Sequence, residues 1–327
     1  MTCLRFLAAV LFLIATQAHA ATGTPAPDSY PSKVTKIIVP YAGGGSTDVL
    51  ARTIGLRLAA RLGKNVVVEN RPGGGTVVGT LATVKAEPDG YTLLLTSDLT
   101  FAINPHIIKN LAYDPLKDLA PIIILGTTPN WLVVKANSSE KNLGDMVETI
   151  RRNPGKVSFS VNGPGGTVHL VLESWKKASG LDFLVVPYSG VAPALVDLLG
   201  GRLDGTFDLV GGTVEHTRDG RLRALGVFQE ARSSAVPDVP SYTEFGLSNL
   251  SMQTTFAFFT TAGTPPAIVE RLNRELAAIA REPEMVARLK TMSIDPALHN
   301  PADSAEYVRR TYERFKAVVR DANYRAN

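Results

Sequence analysis

The sequence predicts an α/β protein of two lobes, each a mostly parallel sheet flanked by helices, with two hinge crossings between them. Three observations lead there. Short β-branched runs alternate with stretches of helical period, which implies right-handed parallel crossovers. That rhythm pauses at two apolar runs, residues 121–125 and 131–135, and then restarts. The chain without its first twenty residues, ~300 long, also exceeds what one hydrophobic core usually organises.

Taken in order, the chain opens on Arg5, an apolar run over 6–14 and Ala18-His19-Ala20. These read as a signal peptide cleaved after Ala20, and the run is too short to span a bilayer. Cys3, the only cysteine, falls within it, so the mature chain has no thiol chemistry and export to a periplasm is expected. Residues 21–31 read as a flexible leader. Ile37-Ile38-Val39 is a strand buried on both faces. Gly43-Gly44-Gly45 follows, then Ser46-Thr47-Asp48, which offers two N-cap hydroxyls and a first-turn acid. Leu50, Ile54, Leu58 and Leu62 form the core stripe of a helix that Gly63 stops.

A strand over 65–69, a glycine loop over 70–75 and a helix over 76–86 come next. Pro88-Asp89-Gly90 makes a turn. The strand over 91–96 ends in Ser97-Asp98-Leu99-Thr100. The first crossing is placed at Gly126-Thr127-Thr128-Pro129-Asn130. The rhythm resumes with a helix over 143–152, a strand over 157–161, a glycine loop over 162–167 and a helix over 169–179. The strand over 183–187 leads to Tyr188-Ser189-Gly190 and a helix through Leu199. Residues 205–208 end a strand, and 222–228 form another. A return crossing over 250–260 precedes two closing helices, 267–281 and 301–323. Lobe 1 is thus 32–127 with 251–327, and lobe 2 is 128–250.

Composition excludes several classes of function. The 34 basic residues against 30 acidic ones give a mild positive excess, which favours small anions. The bases are scattered, without a nucleic-acid signature. No Gly-x-Ser-x-Gly elbow occurs. His106, His169, His216 and His299 lack metal-ligand spacing, so neither metal nor cofactor is expected, nor an enzyme. A dehydrogenase is the strongest enzymatic rival: Gly43-x-Gly45 follows a strand, and Glu69 stands roughly where a ribose-binding acid belongs. Asp48 argues against it, replacing the third glycine with a charge that would oppose a pyrophosphate.

In open α/β sheets ligands bind beyond the carboxyl ends of the strands. Here those ends carry 43–48, 97–100, 162–169, 188–190 and Asp208, which would line one cleft. Three glycines before a helix start leave amide donors bare, a geometry that binds anions. Asp48 is expected to hold a water or cap the helix, pairing with Arg52, while Arg71 and Pro72 fix a loop. Asp98 and Thr100 are read as site residues, because polar groups at a buried strand end need partners. His169 suits a ligand or a helix start equally. Tyr188 suits the cover of an organic acid or a core position, and Asp208 a ligand ammonium, a water or a structural role.

Together these pieces resemble the Bug (TctC-type) receptors of tripartite tricarboxylate transporters. The matching segments are Val39-Pro40-Tyr41-Ala42-Gly43-Gly44-Gly45-Ser46-Thr47-Asp48, Glu69-Asn70-Arg71-Pro72-Gly73-Gly74-Gly75 and Pro88-Asp89-Gly90-Tyr91. Further on come Gly163-Pro164-Gly165 with His169-Leu170, Val186-Pro187-Tyr188-Ser189-Gly190 and Ala262-Gly263-Thr264-Pro265. Their order spans nearly the whole mature chain. The resemblance implies a Venus-flytrap (type II periplasmic-binding-protein) fold, a small carboxylate ligand, and a monomer that meets membrane transporter subunits transiently. A receptor reporting to a sensor kinase would look the same. The carboxylate clamp it implies is Tyr41, Gly43, Gly44, Gly45, Ser46, Thr47 and Asp48 with Ser97, Asp98, Leu99 and Thr100. The closing lobe would add Gly163, Gly165, Gly166, Thr167, His169, Tyr188 and Asp208. The chain departs from the pattern at Gly165-Gly166-Thr167-Val168, where members often have serine. It departs again at Ser189, where they have lysine, and over 256–259, where many have tryptophan. These departures bear on which ligand fits.

Overall fold

The computed structural model describes residues 30–324; the expected signal peptide and most of the leader lie outside them. Strand β1 (Thr35–Val39) runs parallel between β2 (Val66–Asn70) and β3 (Thr92–Thr96), with Ile37 facing Val68 on one side and Leu93 on the other. Helix α1 (Ser46–Leu62) connects β1 to β2. It buries Leu50, Ile54, Leu58 and Leu62, and ends on Gly63 in the left-handed conformation. Helix α2 (Val77–Val84) packs so close to β1 that a Cβ on Gly79 would lie 2.8 Å from the Pro40 side chain. A π-helical turn, Leu99–Ile103, follows β3.

The two apolar runs expected on either side of a crossing are one strand, β4 (Leu119–Lys135). Gly126 and Pro129, placed at the first crossing, lie inside this strand. A Cβ on Gly126 would meet the Asp295 carbonyl at 2.6 Å, because β10 (Asp295–Pro296) lies across it. At Pro129 the strand changes partners. Residues up to Pro129 pair antiparallel with β9 (Gln253–Thr261), and residues from Asn130 pair with β7 (Gly205–Leu209) and β8 (Leu222–Val227). Asn130 fixes the changeover, its backbone and side-chain nitrogens both donating to the Met252 carbonyl.

The second half repeats the first. After helix α3 (Leu143–Arg152), strand β5 (Ser158–Asn162) runs parallel between β6 (Leu184–Tyr188) and β7. Helices α4 (Thr167–Ser179), α5 (Val191–Leu199) and α6 (Val210–Arg218) follow β5, β6 and β7 in turn. Parallel pairing is thus confined to the outer strands, and the strands that pass between halves are antiparallel: β2-β1-β3-β9-β4-β7-β5-β6. Helices α7 (Pro266–Ala280), α8 (Pro283–Thr291) and α9 (Pro301–Ala322) close the chain. The α8 helix and β10 are absent from the sequence reading.

The halves share a core. One apolar cluster includes Ile38, Leu94 and Phe101 of the first, Phe159 and Val168 of the second, and Phe315 of α9. Burying those side chains across the boundary stabilises by roughly 1.5–3 kcal/mol each.

Candidate ligand-binding site

The loop after β1 reaches the start of α1 through Gly44, whose φ of +86° suits glycine, and Gly45, the N-cap. The expected Ser46 and Thr47 hydroxyl caps do not form: glycine holds the cap position and no side chain bonds the first-turn amides. Asp48 folds back instead. Its Oδ2 accepts from the Gly44 amide (2.8 Å) and from Arg52 Nε (3.1 Å), while Oδ1 pairs with Arg52 Nη2 at 3.0 Å. The Arg52 guanidinium first, and the Gly44 amide second, hold the Asp48 carboxyl below the usual range. So one amide of the turn already has an anion, supplied by the protein. An outside anion is left the uncapped first turn of α1. Asn70 braces the turn, accepting from Arg52 and donating to the Tyr41 carbonyl.

A second group of expected residues meets at the seam between halves. Tyr41 and Ser97 share a hydroxyl hydrogen bond of 2.7 Å. Asp98 is buried, which pushes its carboxyl up, and it joins three elements. It follows β3, accepts from the Thr255 amide of β9 (3.0 Å), and accepts from the Thr167 hydroxyl at the start of α4 (2.7 Å). Thr100 is corrected from ligand contact to structure: fully buried, its hydroxyl bonds Thr96 and Thr76. Leu99 packs on the core.

The loop after β5 carries Gly163 and Gly165 at φ +70° and +72°, then Gly166 as the N-cap of α4. His169 accepts from the Gly165 amide through Nδ1 (2.9 Å), which places its proton on Nε2. Burial lowers its pKa, keeping the ring neutral. Tyr324 covers this loop, stacking edge-on to His169 and lying where a Gly165 Cβ would sit. Tyr324 packs on Gly165 and His169, whereas a Cβ on Gly163 would meet nothing within 4 Å; none of Gly163, Gly165, Gly166 and His169 is among the residues lining the hollow between the halves. Nor is Tyr188, whose hydroxyl donates to Asp197 of α5 at 2.6 Å.

The cleft itself is a hollow of about 400 Å³ between the halves. Gly44, Ser46 and Val49 form one wall, and Asp208, Leu209, Gly211 and Gly212 the opposite one; Thr128, Phe256, Thr291, Met292 and Ile294 complete the lining. Gly43, Gly45 and Thr47 belong to the first wall's loop. Gly212 is glycine because a Cβ there would overlap the Asp208 carboxyl, 2.1 Å away. Thr128 Oγ1 is buried and has no hydrogen-bond partner among the described residues. No lysine or arginine lines the cleft among the described residues. Sequence reasoning gave no site role to Thr128, placed at the crossing between lobes, or to Val49, Leu209, Gly211, Gly212, Thr291, Met292 and Ile294, which carry no motif. A larger depression, about 550 Å³, lies between the ends of α4 and α9 and is nearly flat, with Lys176, Lys177 and Asp321 on its rim. Among the described residues no His, Cys, Asp or Glu group is placed to hold a metal, and no helix is long and apolar enough to cross a membrane.

Comparison with known proteins places this geometry. Residues 50–324 match the family model described as tripartite tricarboxylate transporter family receptor. Protein BugT of Bordetella pertussis is 34% identical over 97% of both chains. Among solved structures, R. palustris Rpa4515 with adipate superposes with a TM-score of 0.76 at 29% identity, covering 90% of this chain and 98% of its own. MatC from Rhodopseudomonas palustris, with bound malate, gives 0.72 at 28% identity over 89% of this chain and all of its own. The two-lobed fold of these proteins is the fold of this one.

Proposed function

The chain belongs to the tripartite tricarboxylate transporter receptor family, and from that premise we propose that it binds a small organic carboxylate between its lobes and delivers it to a membrane transporter. One observation carries the reading. The first turn of α1 has a glycine N-cap, no side-chain cap, and opens on the cleft. Its amide hydrogens and the positive end of the helix dipole suit a carboxylate. The relatives that hold adipate and malate lend support, both being carboxylates.

The mechanism is capture followed by closure. The carboxylate docks on α1; the lobes, 32–127 with 251–327 and 128–250, then turn about the strands that join them. Asp98 favours the shut form, because only there can it accept from Thr167 of the opposite lobe. Ligand shifts the balance by its greater affinity for that form. The protein works as a periplasmic monomer whose signal peptide is removed after Ala20, and its contact with transporter subunits is transient. Its role is binding, not catalysis.

A thermal-shift screen against mono-, di- and tricarboxylates, amino acids and aromatic acids tests this. At a hundred times its Kd a ligand adds about 2.7 kcal/mol to stability. The best acid is then titrated calorimetrically into the wild type, Gly44→Asn and Gly44→Asp. Asparagine tolerates the left-handed backbone and should retain binding, while aspartate should abolish it. Equal affinity of all three proteins, or no acid that raises the melting point, would refute the assignment.

A further inference from the structure

We propose that the carboxylate accepted by this cleft carries an apolar body and, at its far end, a hydroxyl or ammonium in place of a second carboxylate. The inference rests on the carboxylate-receptor reading and adds the class of ligand to it.

Four features of the lining point there. Beyond the α1 wall the cleft is mostly apolar, formed by Leu209, Phe256, Met292 and Ile294, with Thr291 as the polar residue among them. Phe256 and Ile294 are buried, so the hydrocarbon under that part of the cleft is packed and has no water of its own. No lysine or arginine among the described residues lines the far side to receive a second negative charge. An acid stands there instead: Asp208, 3% exposed, on the wall opposite Gly44. Finally, Thr128 is a lining residue whose buried hydroxyl has no hydrogen-bond partner among the described residues.

The chemistry follows from these neighbours. A second carboxylate would lose its water among apolar side chains, beside another acid, with no cation to compensate. A hydroxyl has both a proton to give and lone pairs to receive one. It could donate to Asp208 and accept from Thr128, supplying the partner that the threonine lacks. An ammonium would donate to both oxygens and gain the charge attraction. The glycine at 212 leaves the Asp208 carboxyl the room that a Cβ would take.

Two matched sets of acids test the proposal by calorimetry on the mature protein. The six-carbon set is ε-hydroxycaproate, ε-aminocaproate, caproate and adipate; the aromatic set is para-hydroxybenzoate, benzoate and terephthalate. In at least one set the hydroxy or amino acid should bind about tenfold or more tighter than the dicarboxylate, as expected where buried polar groups are matched or left unpaired. Asp208→Asn should narrow that gap by improving the dicarboxylate. A dicarboxylate equal to or tighter than its hydroxy partner in both sets overturns the proposal, as does the absence of binding by all seven. Gly44→Asp separates the two levels. If a dicarboxylate wins but loses affinity in that variant, only the ligand class is wrong. If the acids bind that variant unchanged, the α1 anchor is wrong too.

Discussion

After β1 the chain reaches Gly45 at φ −75° and ψ 169°; after β5 it reaches Gly166 at φ −74° and ψ 168°. Each of these N-caps follows a left-handed glycine, Gly44 or Gly165, whose amide donates to the side chain four residues on. Each helix ends on a left-handed glycine as well. The backbones match and the surroundings do not. In lobe 1 the closing side chain is Asp48, neutralised by Arg52, and the turn opens on the cleft. In lobe 2 it is a neutral histidine, Tyr324 covers the turn, and Asp98 takes the Thr167 hydroxyl. An anion-binding backbone becomes a site only where its neighbours leave it uncovered.

The sharpest way to break that contrast is to load both turns. Gly44→Asp should lower affinity for the best acid about a hundredfold or more, through like charge in a desolvated place, with a stability cost of about 1 kcal/mol from its φ of +86°, which aspartate tolerates better than alanine. Gly165→Ala should do the reverse. Its φ of +72° strains any side chain and its Cβ would press on Tyr324, so stability should fall by about 1–2 kcal/mol while affinity moves less than about threefold. Calorimetry and thermal melting on both variants decide it. Equal losses of affinity would make the two turns equivalent anchors.

Next in size is Asp98→Ala. It strips an acceptor from the buried Thr255 amide and from Thr167, so denaturant unfolding should report a loss of about 2 kcal/mol. Asp98→Asn keeps an oxygen for the amide and should recover most of it. If alanine costs nothing, the seam is not held there.

How much of this was legible in the sequence depends on distance along the chain. The limits of α1 could be read because its stripe, its opening glycines and Gly63 are neighbours. The continuity of β4 could not, since the reason for Gly126 is the backbone of β10, far downstream. Helix α8 hid behind Pro283, which reads as a stop although it is the first residue of a new helix. Asp98 was visible as a polar strand end, but its partner Thr167 belongs to the other lobe. Phe256 stood out only through the resemblance, and Thr128, Met292 and Ile294 come together only when β4, β9 and the segment after α8 converge. Ser46 and Thr47 misled for a local reason: a hydroxyl cap is the usual choice, and here glycine holds the position so that the turn stays bare.

Acid offers a gentler probe, because the two turns close with groups of different titration. Burial holds the His169 pKa below its ordinary value of about 6.5. As pH falls, the unfolded chain therefore takes up that proton first. The stabilisation is complete above the ordinary value and is lost as pH falls through it towards the folded one. A protonated ring also cannot accept from Gly165. Asp48, depressed below the usual carboxylate range, keeps its contribution throughout this window. Amide exchange followed by NMR should show Gly165 losing protection as pH falls below the ordinary histidine value of about 6.5 while Gly44 keeps its own. Parallel behaviour of the two amides would mean that the histidine does not close the second turn.

The smallest effect should come from Tyr188→Phe. This residue ends the outer strand β6, and its carbonyl accepts from Gly163 of the second turn. Its hydroxyl is spent on Asp197, which also pairs with the exposed Arg202. Such solvent-facing pairs contribute little, so affinity should stay within about twofold and the melting temperature within about one degree. The value of so quiet a variant lies in what a loud result would mean. Tyr188 can reach a ligand only if lobe 2 turns its own glycine turn towards the cleft, freeing it from Tyr324. A tenfold loss of affinity would therefore show that the lobes shut further than here, and that the second turn, covered in this form, is uncovered by the ligand itself.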